Sequence, residues 1–419
     1  MIKTKIKKGV TLYTVRDEKF KAFRATVLIH RPLSREESTY NTLTAAVMRM
    51  QSKNFPDAQR ISEELENLYG GGMIARASKY GESQIIKIGI QSVSDASLGI
   101  KGNFDRAMKL LYDIVFNAGT GKGFSEDVVS LEKKNIKDAI LSQKNDKRSY
   151  SVQRLQEEMC KNEPYGVNPM GYIDDLEKID AEKLYAHYKK ILAESNIDII
   201  FSGNFDEEEA VKTAESFASN LSERDGAECR EAVITEVSEV KTVTDRLDVT
   251  QGKLCIGFRN TDGLINKNYP AAVVYNSIFG GSAVSKLFNN VREKLSLCYY
   301  VGSSIDRLKE IMIVRSGVEF ENFKTAYDEI MYQQSLMEKG DFSDEEIEFA
   351  KKHLTTAYES NLDSIAAMEE YYTMQILLRS NVSIEEMTTK ISTVTRDEIM
   401  TAAKSMKIDT IYYMDKEAE

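Results

Sequence analysis

The stretch Gly280–Ser304 reads GGSAVSKLFNNVREKLSLCYYVGSS. A glycine pair, Gly280 and Gly281, opens it. Apolar residues follow at Val284, Leu287, Phe288, Val291 and Leu295. That i, i+3, i+4, i+7, i+11 spacing predicts one face of an amphipathic helix. Arg292 sits one turn past Phe288, at the edge of the face. The period then changes to two, and Leu297, Tyr299 and Val301 fall on one side of an expected strand. A guanidinium from the helix and a phenol from the strand are therefore expected near each other. The same spacing also fits a plain structural role: Arg292 flanking the core on a buried stem, and Tyr299 a core residue with its hydroxyl at the surface.

Working outward, Ile311–Val318 predicts the next strand. Helices are expected at about 322–338, 343–360, 365–378, 383–391 and 396–406, with a last strand at Thr410–Met414. Capping boxes mark three of the starts: Ser343 with Glu346, Ser383 with Glu386, and Thr395 with Glu398. On the N-terminal side, Lys253–Gly257 reads as a strand and 269–279 as a helix. Before them Ser222–Glu231 is polar and has no period, so it is the expected linker. The reading divides the chain into domains 1–222 and 241–419, joined by 223–240. In the first domain strands are expected at Val10–Val15, Ala25–Ile29, Ile85–Ile90 and Asn196–Ser202. Helices are expected at 36–50, 61–68, 104–116, 124–142, 150–161 and 181–193, and from Gly203 to about Leu221. The triplet Gly70-Gly71-Gly72 follows a helix and lacks a Lys-Ser or Lys-Thr, so it reads as a helix stop and not a phosphate cradle.

The two halves repeat each other. Phe124–Ser142 lies on Phe342–Ser360 without a gap, with Phe, Ser, two consecutive lysines, Ala and the final Ser in common. Asn196–Ile200 resembles Lys407–Ile411. The same order at similar offsets implies an internal duplication of about 200 residues, far too long a period for a solenoid. Strands grouped with helices imply an α+β fold of two duplicated domains, each a mainly antiparallel sheet covered by helices on one face.

At 419 residues, with 42% hydrophobic and 29% charged residues, the chain has material for sizeable cores. A formal charge of −10 argues against nucleic acid as a partner. Cys160, Cys229, Cys255 and Cys298 are far apart and form no CxxC, which excludes a disulfide or zinc framework of that kind. Reduced thiols, the missing apolar core of a signal peptide in MIKTKIKKGVTLYTV and the lack of a membrane-length apolar run give a cytoplasmic expectation. His30, His187 and His353 stand alone, with no second ligand at metal-binding spacing. No GxSxG elbow supports a serine triad.

The segment Leu287–Tyr299 resembles the C-terminal-domain signature of the insulinase/pitrilysin family of zinc peptidases. That signature is a helix reading roughly L-F-x-x-[LV]-R-E-K, followed by a Tyr seven residues after the Arg. Asn54-Phe55-Pro56, Glu63 to Gly72 and Thr250-Gln251-Gly252 resemble further family segments, so the resemblance spans essentially the whole chain. It implies duplicated α+β domains. Active members carry the zinc motif HxxEH in the first domain, with a Glu as third ligand. Here those positions fall on Thr42, Ala45 and Ala46 and, counting seven on from Glu132, on Ala139. None of the four can hold zinc or act as general base, so no peptide hydrolysis is expected from this chain alone.

The resemblance retains Arg292 and Tyr299. In two-subunit members one chain supplies HxxEH and the other supplies this pair, which donates to the substrate carbonyl. Donors aimed at a developing oxyanion are worth about 2.7–4 kcal/mol each. The implied function is therefore a non-catalytic subunit of a heterodimeric zinc peptidase. Arg292 and Tyr299 would act in trans, and Gly280 and Gly281 would join them in substrate binding. Zinc is expected in an HxxEH-bearing partner and no cofactor in this chain; the substrate would be a peptide or unfolded polypeptide. Within the family, Lys144–Tyr150 and Leu68–Gly71 resemble the zinc-free member of a bacterial pair associated with aminopentanol modification of elongation factor P. The zinc-free subunit of the mitochondrial processing peptidase has a long glycine-rich loop, of which only Gly280-Gly281 remains here, so presequence-like recognition is not expected. The alternative is a purely structural or peptide-binding protein of the same fold, like the core subunits of respiratory complexes.

Overall fold

β-Branched and aliphatic runs such as Ala25–Ile29 and Ile197–Phe201 stay extended because their branched side chains pack well on a pleated surface. In the computed structural model they form two sheets. Residues 1–226, 233–261 and 263–417 are described. Part of the expected linker, 227–232 with Cys229, lies outside the described residues. Strands β1 (Ile2–Lys7), β2 (Val10–Arg16), β3 (Ala22–Pro32), β4 (Gly72–Tyr80), β5 (Ser83–Val93) and β6 (Ile197–Gly203) form the first sheet, in the order β1-β2-β6-β3-β5-β4. Strands β7 (Lys241–Leu247), β8 (Gly252–Asn260), β9 (Cys298–Asp306), β10 (Ile311–Val318) and β11 (Met406–Lys416) form the second, in the order β7-β11-β8-β10-β9.

Without β1 the two orders correspond strand for strand. β2 runs parallel to β6, as β7 does to β11. The other neighbours in both sheets are antiparallel. The duplicated α+β fold expected from the sequence is thus the observed one. β6 and β11, the two strands that resemble each other in letters, hold equivalent places. β4 and β7 were not expected. Both are edge strands, where one side of the ladder is open, and their few apolar residues are interrupted by small, polar or charged ones.

The helices that matter for the site are α1 (Ser38–Met48), α2 (Glu126–Gln143), α3 (Lys147–Met159), α4 (Ala181–Glu194) and α5 (Ile365–Leu377). In the first unit, Ile86, Ile88 and Ile90 of β5 bury one face of the sheet against Leu43 and Val47 of α1 and Leu184 and Ile191 of α4. In the second, Leu254, Ile256, Met312 and Val314 do the same with Val274, Leu287, Val291 and Ile330. All three capping boxes are formed, with side chain and backbone bonded reciprocally. Among the described residues, no helix is long and apolar enough to cross a membrane.

The compact units are not contiguous halves of the sequence. One comprises Met1–Leu141, Val167–Arg230 and Asn361–Asn381, and the other Ser142–Gly166, Glu231–Ser360 and Val382–Glu419. Each sheet therefore carries one helix on its second face, and that helix comes from the other half of the chain. On the first sheet, Ile376 of α5 packs on Leu28, Ile85 and Ile200. On the second, Leu155 and Met159 of α3 pack on Cys255, Ile311 and Tyr412.

Ion pairs fix both exchanges. Lys87 of β5 is 1% exposed and lies 2.9 Å from Glu369 and 3.0 Å from Glu370 of α5. Arg24 adds a contact of 3.2 Å to Glu369, and the Thr26 hydroxyl donates to the same carboxylate at 2.8 Å. In the second unit Glu163, just past α3, receives Arg259 at 2.5 Å and Lys309 at 2.6 Å. A buried charge left without its partner is strongly destabilising, so these pairs specify which helix covers which sheet.

Candidate functional site

Residues 287–294 are helical as expected, but the turn is wider. Leu287–Lys294 is a π-helix, preceded by a second π-helical segment at Ser277–Gly281. The Leu295 amide bonds back five residues to the Asn290 carbonyl, at 3.1 Å. The helix is also shorter than the expected apolar face: Val284 lies in the turn before it and Leu295 caps its end. Leu287 and Val291 are fully buried, whereas Val284 and Leu295 are exposed. π-Helical turns concentrate at functional sites, since they are costly and persist only where something requires them.

Gly280 and Gly281 have packing roles here. A Cβ at Gly280 would stand 2.6 Å from Ser303 Oγ of β9 and 2.8 Å from Leu287 Cδ1. One at Gly281 would stand 2.5 Å from Asn276 Nδ2. The glycine pair lets the π-helical segment close onto β9, where the Ser303 hydroxyl donates to Asn276 Oδ1 at 2.7 Å.

Tyr299 does not lie on the core side. On β9, Cys298 pairs with Val318 and Tyr300 with Gly317, so Tyr299 is the extra residue of a β-bulge. A bulge breaks the alternation and re-aims a side chain. Cys298 is buried and Tyr299 is 66% exposed. The Glu319 carboxylate accepts from the Tyr299 hydroxyl and holds its pKa above the usual phenol value. Arg292 is also at the surface. Its Nε lies 3.4 Å from Glu293, and its guanidinium stands over the Phe288 ring at 4.7 Å. The phenol and the guanidinium thus each have their own partner, on a strand edge and on the helix before it.

The emptied metal positions lie in the first unit. Thr42, Ala45 and Ala46 are on α1 and Ala139 is on α2. The Thr42 hydroxyl donates to the Pro169 carbonyl at 2.7 Å. Gln84, fully buried on β5, donates to the same carbonyl at 2.8 Å and to Thr42 Oγ1 at 3.3 Å. Its Oε1 accepts from Asn41 at 2.8 Å, and Asn41 Oδ1 in turn meets His187 Nε2 at 2.8 Å. Zinc needs three or four N, S or O ligands converging on one point. The alanines offer none, and the one hydroxyl is already committed to a backbone carbonyl, so these residues do not fit zinc. Among the described residues, no group of three or more His, Cys, Asp or Glu is placed to hold a metal.

The sequence reading missed this amide chain and missed Glu319. Asn41, Gln84 and Glu319 are single polar residues inside regular elements, and no local pattern sets them apart. His187 is 8% exposed, and burial drives its pKa down to about 4. His30 meets Asp198 across the β3–β6 ladder at 2.8 Å, and His353 stacks on Phe349.

Residues 178–354 match the family model described as Peptidase M16 inactive domain. A Bacillus subtilis protein named "Probable inactive metalloprotease YmfF" is 32% identical over 408 residues, 97% of this chain and 96% of its own length. A conserved protein from Enterococcus faecalis has a solved structure with a TM-score of 0.91 at 29% identity, covering 100% of this chain and 99% of that one. A peptidase M16 inactive domain from Pseudomonas fluorescens shares the fold at a TM-score of 0.78 and 16% identity, covering 98% and 96%.

Proposed function

Because this chain belongs to the M16 peptidase family as an inactive member, we propose that it is the non-catalytic subunit of a two-chain zinc peptidase. Its contribution is Arg292 and Tyr299, delivered to a site whose zinc and HxxEH come from a second M16 chain. The bulge at Tyr299 is the observation that carries this reading. A phenol with a core role would have stayed in the β-ladder, but this one is turned out and 66% exposed, seven residues after an exposed guanidinium. Exchanging Glu319 for a substrate carbonyl would leave the phenol as a donor, and Arg292 adds positive charge for a developing oxyanion. Gly280 and Gly281 serve indirectly, by seating the π-helical segment on β9. We take the pairing, and not a modification reaction, from the resemblance to the bacterial pair associated with elongation factor P.

The experiment mixes this chain with an HxxEH-bearing partner and follows peptide cleavage. Cleavage is expected only in the mixture and is lost on zinc chelation. Arg292→Ala or Tyr299→Phe should lower kcat by roughly 10²–10³ while the heterodimer still elutes as one species. Unchanged turnover with either variant would refute the role given to the pair. The second reading, a purely structural or peptide-binding protein, is favoured by the separate partners of Arg292 and Tyr299, and it predicts full turnover from both variants.

A further inference from the structure

On the face of the second sheet covered by α3, three cations gather where α3 begins. Lys253 of β8 and Tyr300 of β9 flank Gly317 of β10 in one row of the ladder. Arg315 of β10 lies two residues before Gly317, on the same face. A Cβ at Gly317 would stand 2.5 Å from the Tyr300 ring and 2.8 Å from Gln251 Oε1, so the glycine allows ring and amide to meet over the strand. The Arg148 guanidinium of α3 stacks on the Tyr300 ring at 4.2 Å.

Among the described residues no carboxylate forms an ion pair with Arg148, Lys253 or Arg315; Glu319 attracts Lys253, and Asp146 attracts Arg148, only from beyond ion-pair distance. Lys253 is 9% exposed, and its ammonium bonds only to neutral oxygens of Gln251, at 2.8 and 3.2 Å. Arg315 Nε and the Tyr300 hydroxyl are buried and have no hydrogen-bond partner. The two nearby carboxylates are engaged elsewhere: Asp146 caps α3, and Glu319 accepts from Tyr299. Unpaired buried donors and cations are costly unless something completes them. The cluster is not sealed, since Arg148 is exposed at its rim.

We propose that this cluster is an oxyanion-binding site for a carboxylate or phosphate group, with Arg315, Lys253 and Tyr300 as its donors and Arg148 as its outer arm. A guanidinium presents paired N–H donors that match two oxygens of one anionic group. The ammonium supplies a point charge from the opposite strand, and the phenol donates a third bond. The site is built within one unit and does not depend on the pairing proposed above.

Calorimetric titration of the full chain at constant ionic strength tests it, because screening would otherwise blur any charge effect. The probes are inorganic phosphate, a short peptide with a free C-terminal carboxylate, and the same peptide amidated. Phosphate or the free-carboxylate peptide is expected to bind with a Kd in the millimolar range or below, and the amidated peptide is not. Which probe binds tells the two sources apart. Arg315→Gln and Lys253→Gln should each weaken binding about tenfold or more. Arg148→Gln changes an exposed side chain and keeps the test informative if the inner variants fail to fold; it should weaken binding as well. Lys122→Gln, an exposed loop residue in the other unit, should change nothing. No binding of either anion, or equal binding by wild type and Arg148→Gln, would overturn the site.

Discussion

Replacing His187 by glutamine should remove a specific acid sensitivity from the first unit. His187 is 8% exposed on α4, and burial lowers its pKa from 6.5 to about 4. Glu37 pulls the other way, while Arg31 and Lys190 add to the depression. Between those two pH values the unfolded chain binds a proton that the folded chain refuses. Stability therefore falls as the pH drops through this window and is unaffected by this group above it. A difference of 2.5 units (6.5 − 4), at 1.36 kcal/mol each, is about 3 kcal/mol. Glutamine can still donate to Asn41 Oδ1, so the amide chain to Gln84 and Pro169 survives at neutral pH. Urea unfolding of wild type and His187→Gln across this range measures the effect. The wild type should lose about 3 kcal/mol more than the variant, although both lose stability through their carboxylates. Parallel curves would refute the reasoning, as would an imidazole seen by NMR to titrate near its ordinary value.

Two further outcomes follow from packing and charge. Lys87→Met leaves Glu369 buried with only Arg24 as a counter-charge, and should destabilise the first unit by about 3–5 kcal/mol. Denaturant unfolding checks it, and a loss under about 1 kcal/mol would show that α5 is held by its apolar contacts alone. Gly280→Ala drives a methyl into Ser303 and Leu287, and should cost about 1–3 kcal/mol by overpacking. A thermal melt near that of wild type would mean that the π-helical segment lifts off β9 without penalty.

Most of the fold was legible because most of it is local. The capping boxes at Ser343, Ser383 and Thr395 are four-residue signals, and each formed. The duplication could be read because Phe124–Ser142 and Phe342–Ser360 kept similar letters, as did the interior strands β6 and β11. β4 was not legible, since Gly72–Tyr80 lies on an open edge and has no strong alternation. The bulge at Tyr299 was equally hidden. It depends on how Val318 and Gly317 pair across the sheet, and the run from Leu297 to Val301 is apolar or aromatic throughout, so its letters mark no change of face. Nor could the sequence show what replaced the metal ligands. Thr42, Ala45, Ala46 and Ala139 announce a loss, but the chain His187–Asn41–Gln84–Pro169 joins residues distant in sequence. Lys87, in the run Gln84–Ile90, reads as an outward-facing polar residue until a helix from the far end of the chain is placed on it.

That exchange makes the two halves of the sequence unable to do without each other. The N-terminal half encodes a buried ammonium, Lys87, whose two carboxylates lie at positions 369 and 370. The C-terminal half encodes Arg259 and Lys309, whose shared carboxylate is at 163. A fragment ending before the second sheet would therefore carry a cation with its neutralising helix missing, together with a helix that has no sheet to cover. The complementary fragment would also carry an uncovered sheet: Arg259 would keep Asp409 at 2.6 Å, but Arg259 and Lys309 would both lose Glu163. Duplicated domains are ordinarily good candidates for dissection, each copy to be made and studied alone. Here the copies have traded counter-ions, and any trimming, splitting or re-joining of this chain has to keep each charge with the segment that neutralises it.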